Sequence, residues 1–315
     1  MIILKICILG AGSLGCAIGG VLTEAGHEVW LVNRGQAHVD AMREHGLLMR
    51  ENGIDRVVTV RATTNCQQIA NASGVMDLII VLVKSFHTRA AIEPATCIVG
   101  AHTVVLSLQN GLGHEDVLAE VVGRNKLLAG KTYVGGQVIA PGQITLGYRG
   151  KDTHIGELDG SLSERVQGIA AVFNAAGLET FVSRNIMGTI WDKLLVNVAT
   201  GALSGITGLP YGLLYQVSEV EACAVAAVTE AMAVARASGI ELLTIDPRAP
   251  WVKAGAGLAF EFKASMLQSL DKGSITEIDF VNGAVVAQGL KYGIPTPVNQ
   301  TLVACMKGIE RGLIN

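Results

Sequence analysis

Residues 2–15 read IILKICILGAGSLG. The short apolar, β-branched run over residues 2–9 stops at a glycine, which is the pattern of a buried strand. Gly10-Ala11-Gly12-Ser13-Leu14-Gly15 follows at once and matches G-x-G-x-x-G. In that pattern the first glycine permits a tight turn and the second lets the backbone approach a pyrophosphate. The third allows close packing of helix on strand. Residues 16–25 then carry a helical pattern and Glu28–Val32 a second strand, giving a βαβ unit. Glycine-rich turns recur for structural reasons, so the hexapeptide alone is weak. Set between a strand and a helix, it predicts dinucleotide binding, with the phosphates held at the helix N-terminus.

Outward from this unit, Asp77–Val83 (DLIIVLV) and Thr103–Leu108 (TVVLSL) are apolar runs typical of parallel sheets covered on both faces. Helical stretches separate them, so strand and helix alternate as in a doubly wound sheet. From Gly136 the pattern changes: GQVIAPGQITLG predicts two alternating strands about a Pro141-Gly142 turn, an antiparallel addition. Leu162–Ala176 reads as a helix and Glu179–Val182 as a last short strand. Beyond residue 184 strand signals stop. Segments 187–204, 217–238, 259–271 and 274–293 read as helices, broken at Gly208-Leu209-Pro210, at Asp246–Pro250 and at Gly293-Ile294-Pro295. The predicted architecture is an α/β Rossmann-type dinucleotide-binding domain over 1–184 and an all-α domain over 185–315.

Composition narrows the function classes. Of 315 residues, 50% are hydrophobic and 16% charged, which excludes intrinsic disorder. The net charge of −3 offers no basic field to nucleic acid. The six cysteines form no CxxC pair, which argues against a disulfide framework or structural zinc and fits a reducing compartment. Mean hydropathy is high at +0.43, and Leu194–Ser218 carries no charge. That stretch is too polar and too rich in glycine for a span of ~20 apolar residues. The N-terminal run has its only charge, Lys5, inside the apolar segment, unlike a signal peptide. A cytoplasmic protein is expected.

Several residues could carry chemistry. The second strand ends Leu31-Val32-Asn33-Arg34, where NAD-selective folds place a carboxylate. A guanidinium there suits a phosphate, which favours NADP, although Arg34 also reads as a solvated loop residue. Lys84 closes DLIIVLVK, and Asn110 follows TVVLSL; each is also consistent with an ordinary strand cap or turn. Leu128-Ala129-Gly130-Lys131-Thr132 resembles the end of a P-loop but lacks its first glycine, Asn125 standing there, and NTP binding is set aside. No metal-spaced His/Cys cluster is present, so no metal is expected. In WDKLLVN, Lys193 and Asn197 lie four apart on one helix face, which Gly201 and Gly205 continue without a side chain, leaving space. Ser265, Thr276, Glu277 and Asp279 fall on the later predicted helices.

Together these motifs resemble the ketopantoate reductase family, whose members reduce 2-dehydropantoate with NADPH on the route to pantothenate. The resemblance covers nearly the whole chain in order: the loop 10–15, Arg34, Lys84 in VLVKSFHT, Asn110 in LQNGLG, Lys193 and Asn197 in WDKLLVN, Ser265 in KASMLQ and Glu277 in ITEIDFVNG. It implies that Lys193 is the catalytic lysine, stabilising the developing alkoxide and supplying the proton as hydride reaches the C2 carbonyl. It implies that Gly10, Ala11, Gly12, Ser13, Leu14, Gly15, Arg34, Lys84, Asn110 and Glu277 meet the cofactor. Asn110, Asn197 and Ser265 would hold the substrate. Glu277 would orient Lys193 or contact substrate and cofactor ribose.

One position departs from the family. A second asparagine is usual one turn after the first, and Gly201 stands there, which opens the way to another keto acid. A related NADP-dependent reductase or opine-type dehydrogenase is one alternative, and a non-catalytic NADPH sensor another. Lys193 and Glu277 speak against a sensor, which needs no proton donor. The expected partners are a small-molecule 2-keto acid and, at most, a second copy in a homodimer, with no nucleic acid and no membrane.

Overall fold

The computed structural model describes residues 3–314. Its contacts divide the chain into two units. One takes residues up to Gln109 together with His114–Ile186; the other takes Asn110–Gly113 together with the chain from Met187 onward.

The first unit contains β1 (Lys5–Leu9), β2 (Glu28–Val32), β3 (Leu47–Glu51), β4 (Ile54–Val58), β5 (Arg61–Thr63), β6 (Met76–Val81), β7 (Val99–Ser107), β8 (Leu127–Thr132), β9 (Gly135–Ala140), β10 (Gln143–Gly147), β11 (Thr153–Gly156) and β12 (Thr180–Val182). The larger sheet runs β5-β2-β1-β6-β7-β8 in parallel, the strand order of dinucleotide-binding folds. β11 joins antiparallel to β8, and β12 parallel to β11. Ile6, Ile8, Leu78 and Ile80 enter the core on one face, while Cys7, Leu9, Ile79 and Val81 enter the core on the other. Cover on both sides explains why these strands are apolar throughout instead of alternating.

Helix α1 (Ser13–Glu24) lies between this sheet and a smaller one ordered β4-β3-β10-β9. A Cβ at Gly19 would come 2.4 Å from Leu31 of the large sheet, and one at Gly20 2.4 Å from Met49 of the small one. The predicted hairpin about Pro141-Gly142 forms as the antiparallel pair β9–β10. It pairs with β3 rather than extending the main sheet, because β3–β4 supplies the free edge. The P-loop-like Leu128–Thr132 lies in the fully buried strand β8. The ammonium of Lys131 sits 4.5 Å from the Tyr133 ring centre, an internal cation–π contact. Helices α2 (Gln36–His45), α3 (Cys66–Ser73), α4 (Thr88–Ala95), α5 (His114–Val122) and α6 (Glu164–Ala175) complete the unit. All six cysteines of the chain are free thiols.

The second unit is built on α7 (Ile186–Thr207), α8 (Tyr211–Leu214), α9 (Ser218–Ala237), α10 (Ala249–Gly255), α11 (Ser265–Asp271), α12 (Asn282–Tyr292) and α13 (Pro297–Ile314), with no strand among its described residues. Three expectations need correction. The helix read over 259–271 starts only at Ser265, because the carbonyls of Phe260 and Phe262 accept the Gly212 and Tyr211 amides, each at 2.8 Å. The helix read over 274–293 starts at Asn282, and Thr276 and Glu277 precede a single 3₁₀ turn over Ile278–Phe280. Both the amide and the hydroxyl of Thr276 are drawn to the Glu310 carboxylate instead of a helical carbonyl. Helix α13 lies beyond the segments read as helices, although Thr296-Pro297 is a start signal. The carboxylate of Glu230 on α9 accepts its first amides, Val298 at 2.9 Å and Asn299 at 3.0 Å. Among the described residues no helix is long and apolar enough to cross a membrane.

Candidate functional site

The glycine loop divides its labour by position. Gly10 has φ +104°, and a Cβ there would lie 2.5 Å from the Val83 amide. A Cβ at Gly15 would lie 2.3 Å from the Gly10 carbonyl oxygen. Both are glycine because protein backbone fills the place of a side chain. A Cβ at Gly12, by contrast, meets nothing within 4 Å, and Gly12 caps α1 without a side-chain hydrogen bond. Gly12, Ser13 and Leu14 are partly exposed, whereas Ala11 and Gly15 are buried. The Ala11 amide donates to Val32 O at 2.8 Å, and its carbonyl accepts Asn33 Nδ2 at 2.7 Å. Ala11 therefore shapes the loop, and the open side of the turn belongs to Gly12, Ser13 and Leu14.

Asn33 also accepts the Gly35 amide at 2.8 Å, so it locks the loop after β2 onto the glycine turn. Beside it Arg34 is exposed, with Nη2 2.8 Å from His87 Nε2. Burial, and then the Arg34 charge, hold the His87 imidazole below its ordinary pKa, so the neutral ring accepts this bond. His87 stands in the 3₁₀ turn Ser85–His87, which Lys84 begins. Lys84 is thus three residues past the end of β6 rather than its last residue, and it is exposed. The structure brings the Arg34 and Lys84 segments together through His87. Gln109, buried after β7, donates Nε2 to Val83 O at 2.9 Å and to Thr88 Oγ1 at 2.8 Å, bracing the same turn from below. Sequence reasoning passed over Asn33, His87 and Gln109 as functional residues. All three lie in the quoted motifs, but only their tertiary partners show what they do.

In the second unit, Trp191, Leu194, Leu195, Val198 and Ala199 bury one side of α7, leaving Lys193 and Asn197 half-buried at its edge. Asp192 accepts the Leu243 and Thr244 amides at 3.1 and 3.0 Å, which fixes the helix rotation at this point. The space expected over Gly201 and Gly205 is filled. A Cβ at Gly201 would stand 3.2 Å from Met266 Cε, and one at Gly205 2.5 Å from Met306 Cε. The Met266 contact seats the start of α11, and with it the exposed Ser265, against α7 one turn beyond Asn197. Glu277 is half-buried just before the 3₁₀ turn Ile278–Phe280. The Leu112 amide donates to Phe280 O at 3.0 Å, so the loop that carries Asn110 docks on that turn. Lys193, Asn197 and Ser265 thus lie on two packed helices, and Glu277 and Asn110 on two packed loops. Among the described residues no group of three or more His, Cys, Asp or Glu side chains could hold a metal ion.

A parallel sheet of this order with an open glycine turn defines a Rossmann-type dinucleotide-binding protein. Residues 6–160 match the family described as "Ketopantoate reductase PanE/ApbA", and residues 185–310 match its C-terminal counterpart. The chain belongs to the ketopantoate reductase family and is an oxidoreductase. It is 33% identical over 313 residues to the 2-dehydropantoate 2-reductase of Halobacterium salinarum, covering 98% of this chain and 99% of the relative. A PanE/ApbA family ketopantoate reductase from Ralstonia eutropha superposes with a TM-score of 0.89 at 35% identity, over 99% of this chain and 100% of that one. A D-mandelate dehydrogenase solved with NADH and anilino(oxo)acetate gives a TM-score of 0.91 at 28% identity, with the same coverage.

Proposed function

We propose that the protein reduces 2-dehydropantoate to pantoate with NADPH, in the synthesis of pantothenate. The observation that carries this reading is the near full-length likeness to relatives named 2-dehydropantoate 2-reductase. The chain's residues suit a dinucleotide. Gly12, Ser13 and Leu14 leave an open approach for the pyrophosphate at the start of α1. Arg34, with Lys84 on the neighbouring turn, supplies cationic groups for a 2′-phosphate. When bound, the reduced dinucleotide supplies the hydride for the carbonyl carbon.

The remaining chemistry falls to side chains. Lys193 donates hydrogen bonds to the substrate carbonyl oxygen, stabilises negative charge as it develops there, and delivers the proton that completes the alcohol. Asn197 and Ser265 hold the hydroxyl or carboxylate of the substrate, Asn110 aligns it, and Glu277 orients the lysine. A second reading, reduction of a different 2-keto acid, is favoured by Met266. Its thioether, not an amide, stands against α7 one turn from Asn197, and a D-mandelate dehydrogenase shares the fold.

Absorbance-monitored NADPH oxidation against a panel of 2-keto acids decides between the readings. Ketopantoate should give the highest kcat/KM of the panel, and Lys193→Ala should lower kcat by ~10²–10⁴ with little change in NADPH affinity. A larger kcat/KM with an aromatic or branched keto acid selects the second reading, and near-wild-type turnover in Lys193→Ala removes the lysine from the mechanism.

A further inference from the structure

Glu277 sits in a segment whose two ends are gripped by one helix. Glu310 of α13 is buried, and its Oε1 accepts both the amide and the hydroxyl of Thr276 at 2.7 Å. Thr276 Oγ1 in turn accepts the Ile278 amide at 3.2 Å, so the backbone is fixed immediately before and after Glu277. One turn earlier on α13, Lys307 donates to the Asp279 carboxylate and lies 3.3 Å from Glu310 Oε2. The far side of the 3₁₀ turn is closed by the Leu112 amide on Phe280 O.

Helix α13 is itself held. The Glu230 carboxylate caps its N-terminus, and the buried Asn299 donates Nδ2 to Ala227 O at 3.0 Å and accepts Asn282 Nδ2 at 3.0 Å. A carboxylate buried on two hydrogen bonds and an ammonium is a costly arrangement for tethering an otherwise irregular loop. What lies within its grip is a half-buried glutamate.

We infer that Glu310, assisted by Lys307, is a positioning residue that sets the direction of the Glu277 carboxylate through Thr276. The inference rests on the reading of Glu277 as a participant in the reduction. It separates from that reading by a double-mutant cycle on the full-length enzyme, with circular dichroism confirming folded protein at the assay temperature. Glu277→Ala should lower kcat at least tenfold. Glu310→Ala should lower kcat by a comparable factor, with KM for the keto acid within threefold. Glu310→Gln, which keeps the acceptor for Thr276, should recover to within threefold of wild type. In the Glu277→Ala background, Glu310→Ala should cost no more than a further twofold, since a positioning residue has nothing left to position.

Should Glu310→Ala not fold, Thr276→Val removes the hydroxyl that donates to Glu310, with little change in volume, and should lower kcat in the same direction. Full activity in Glu310→Ala or Thr276→Val beside an impaired Glu277→Ala overturns the inference alone. So does an equal loss in Glu310→Ala and Glu310→Gln, or a double variant slowed by the product of the two single losses. Full activity in Glu277→Ala overturns the role given to Glu277, and the inference with it.

Discussion

Met266 lies where an asparagine at residue 201 would have to go. Its Cε and Sδ stand 3.2 and 3.4 Å from the Cβ that residue 201 lacks. Gly201→Asn should therefore cost stability by overpacking, ~1–3 kcal/mol, with urea midpoints as the measure. Gly201→Asn with Met266→Ala should recover most of that loss, and a single variant as stable as wild type would show that the thioether moves aside freely. The helical spacing of Lys193 and Asn197 was legible in the sequence, since a period of 3.6 residues places them on one face. The methionine over Gly201 was not, because it comes from another helix and no local pattern encodes the contact. Arg34 is the reverse case: its cationic character reads directly from the end of the strand, while its bond to His87 does not. Arg34→Ala should erase most of any preference for NADPH over NADH. Equal dissociation constants for the two cofactors in the wild type would overturn its assignment to the 2′-phosphate.

At the scale of elements, the glycine turn makes two like substitutions behave differently. Gly12→Ala meets open space, so the fold should keep its stability within ~1 kcal/mol while the dissociation constant for NADPH rises at least tenfold. Gly15→Ala drives a methyl onto the Gly10 carbonyl at 2.3 Å and should lower the thermal midpoint by several degrees. Equal midpoints for the two variants would contradict this division. The βαβ unit was readable because buried parallel strands are apolar on both faces and glycine must stand at the turn. The β3–β4 hairpin carried a signal too: Asn52 and Gly53 have φ +50° and +80°, the positive pair that Asn-Gly favours in a two-residue turn. Segment 274–281 departs from a helix for a different reason. The Thr276 amide and hydroxyl are taken by a glutamate on α13 and the Ile278 amide by the Thr276 hydroxyl, and sequence periodicity is blind to a distant acceptor.

Stability belongs to the whole molecule, and Glu157 should give it a measurable dependence on pH. Burial pushes this carboxyl up, but the Arg165 guanidinium and the Ser163 hydroxyl more than offset that and hold it below its ordinary value. A depressed acid stabilises the fold above its unfolded pKa of ~4.3, and that contribution disappears as pH falls through the folded value. The wild type should therefore lose stability on acidification below about pH 5. Arg165→Met, already weaker at pH 7, should lose less over the same range in urea titrations, whereas parallel profiles would remove the pair from the account. A different consequence follows from the path of the chain. It enters the second unit at Asn110, returns at His114 and leaves the first for good after Ile186. The four residues Asn110–Gly113 belong with helices encoded far downstream, and a Cβ at Gly111 would press to 2.5 Å on Phe280 O. The two units are thus not separately heritable. A crossover between related genes near residue 186 would join a loop from one parent to a turn from the other, and recombinants should survive only where both partners of that contact descend together.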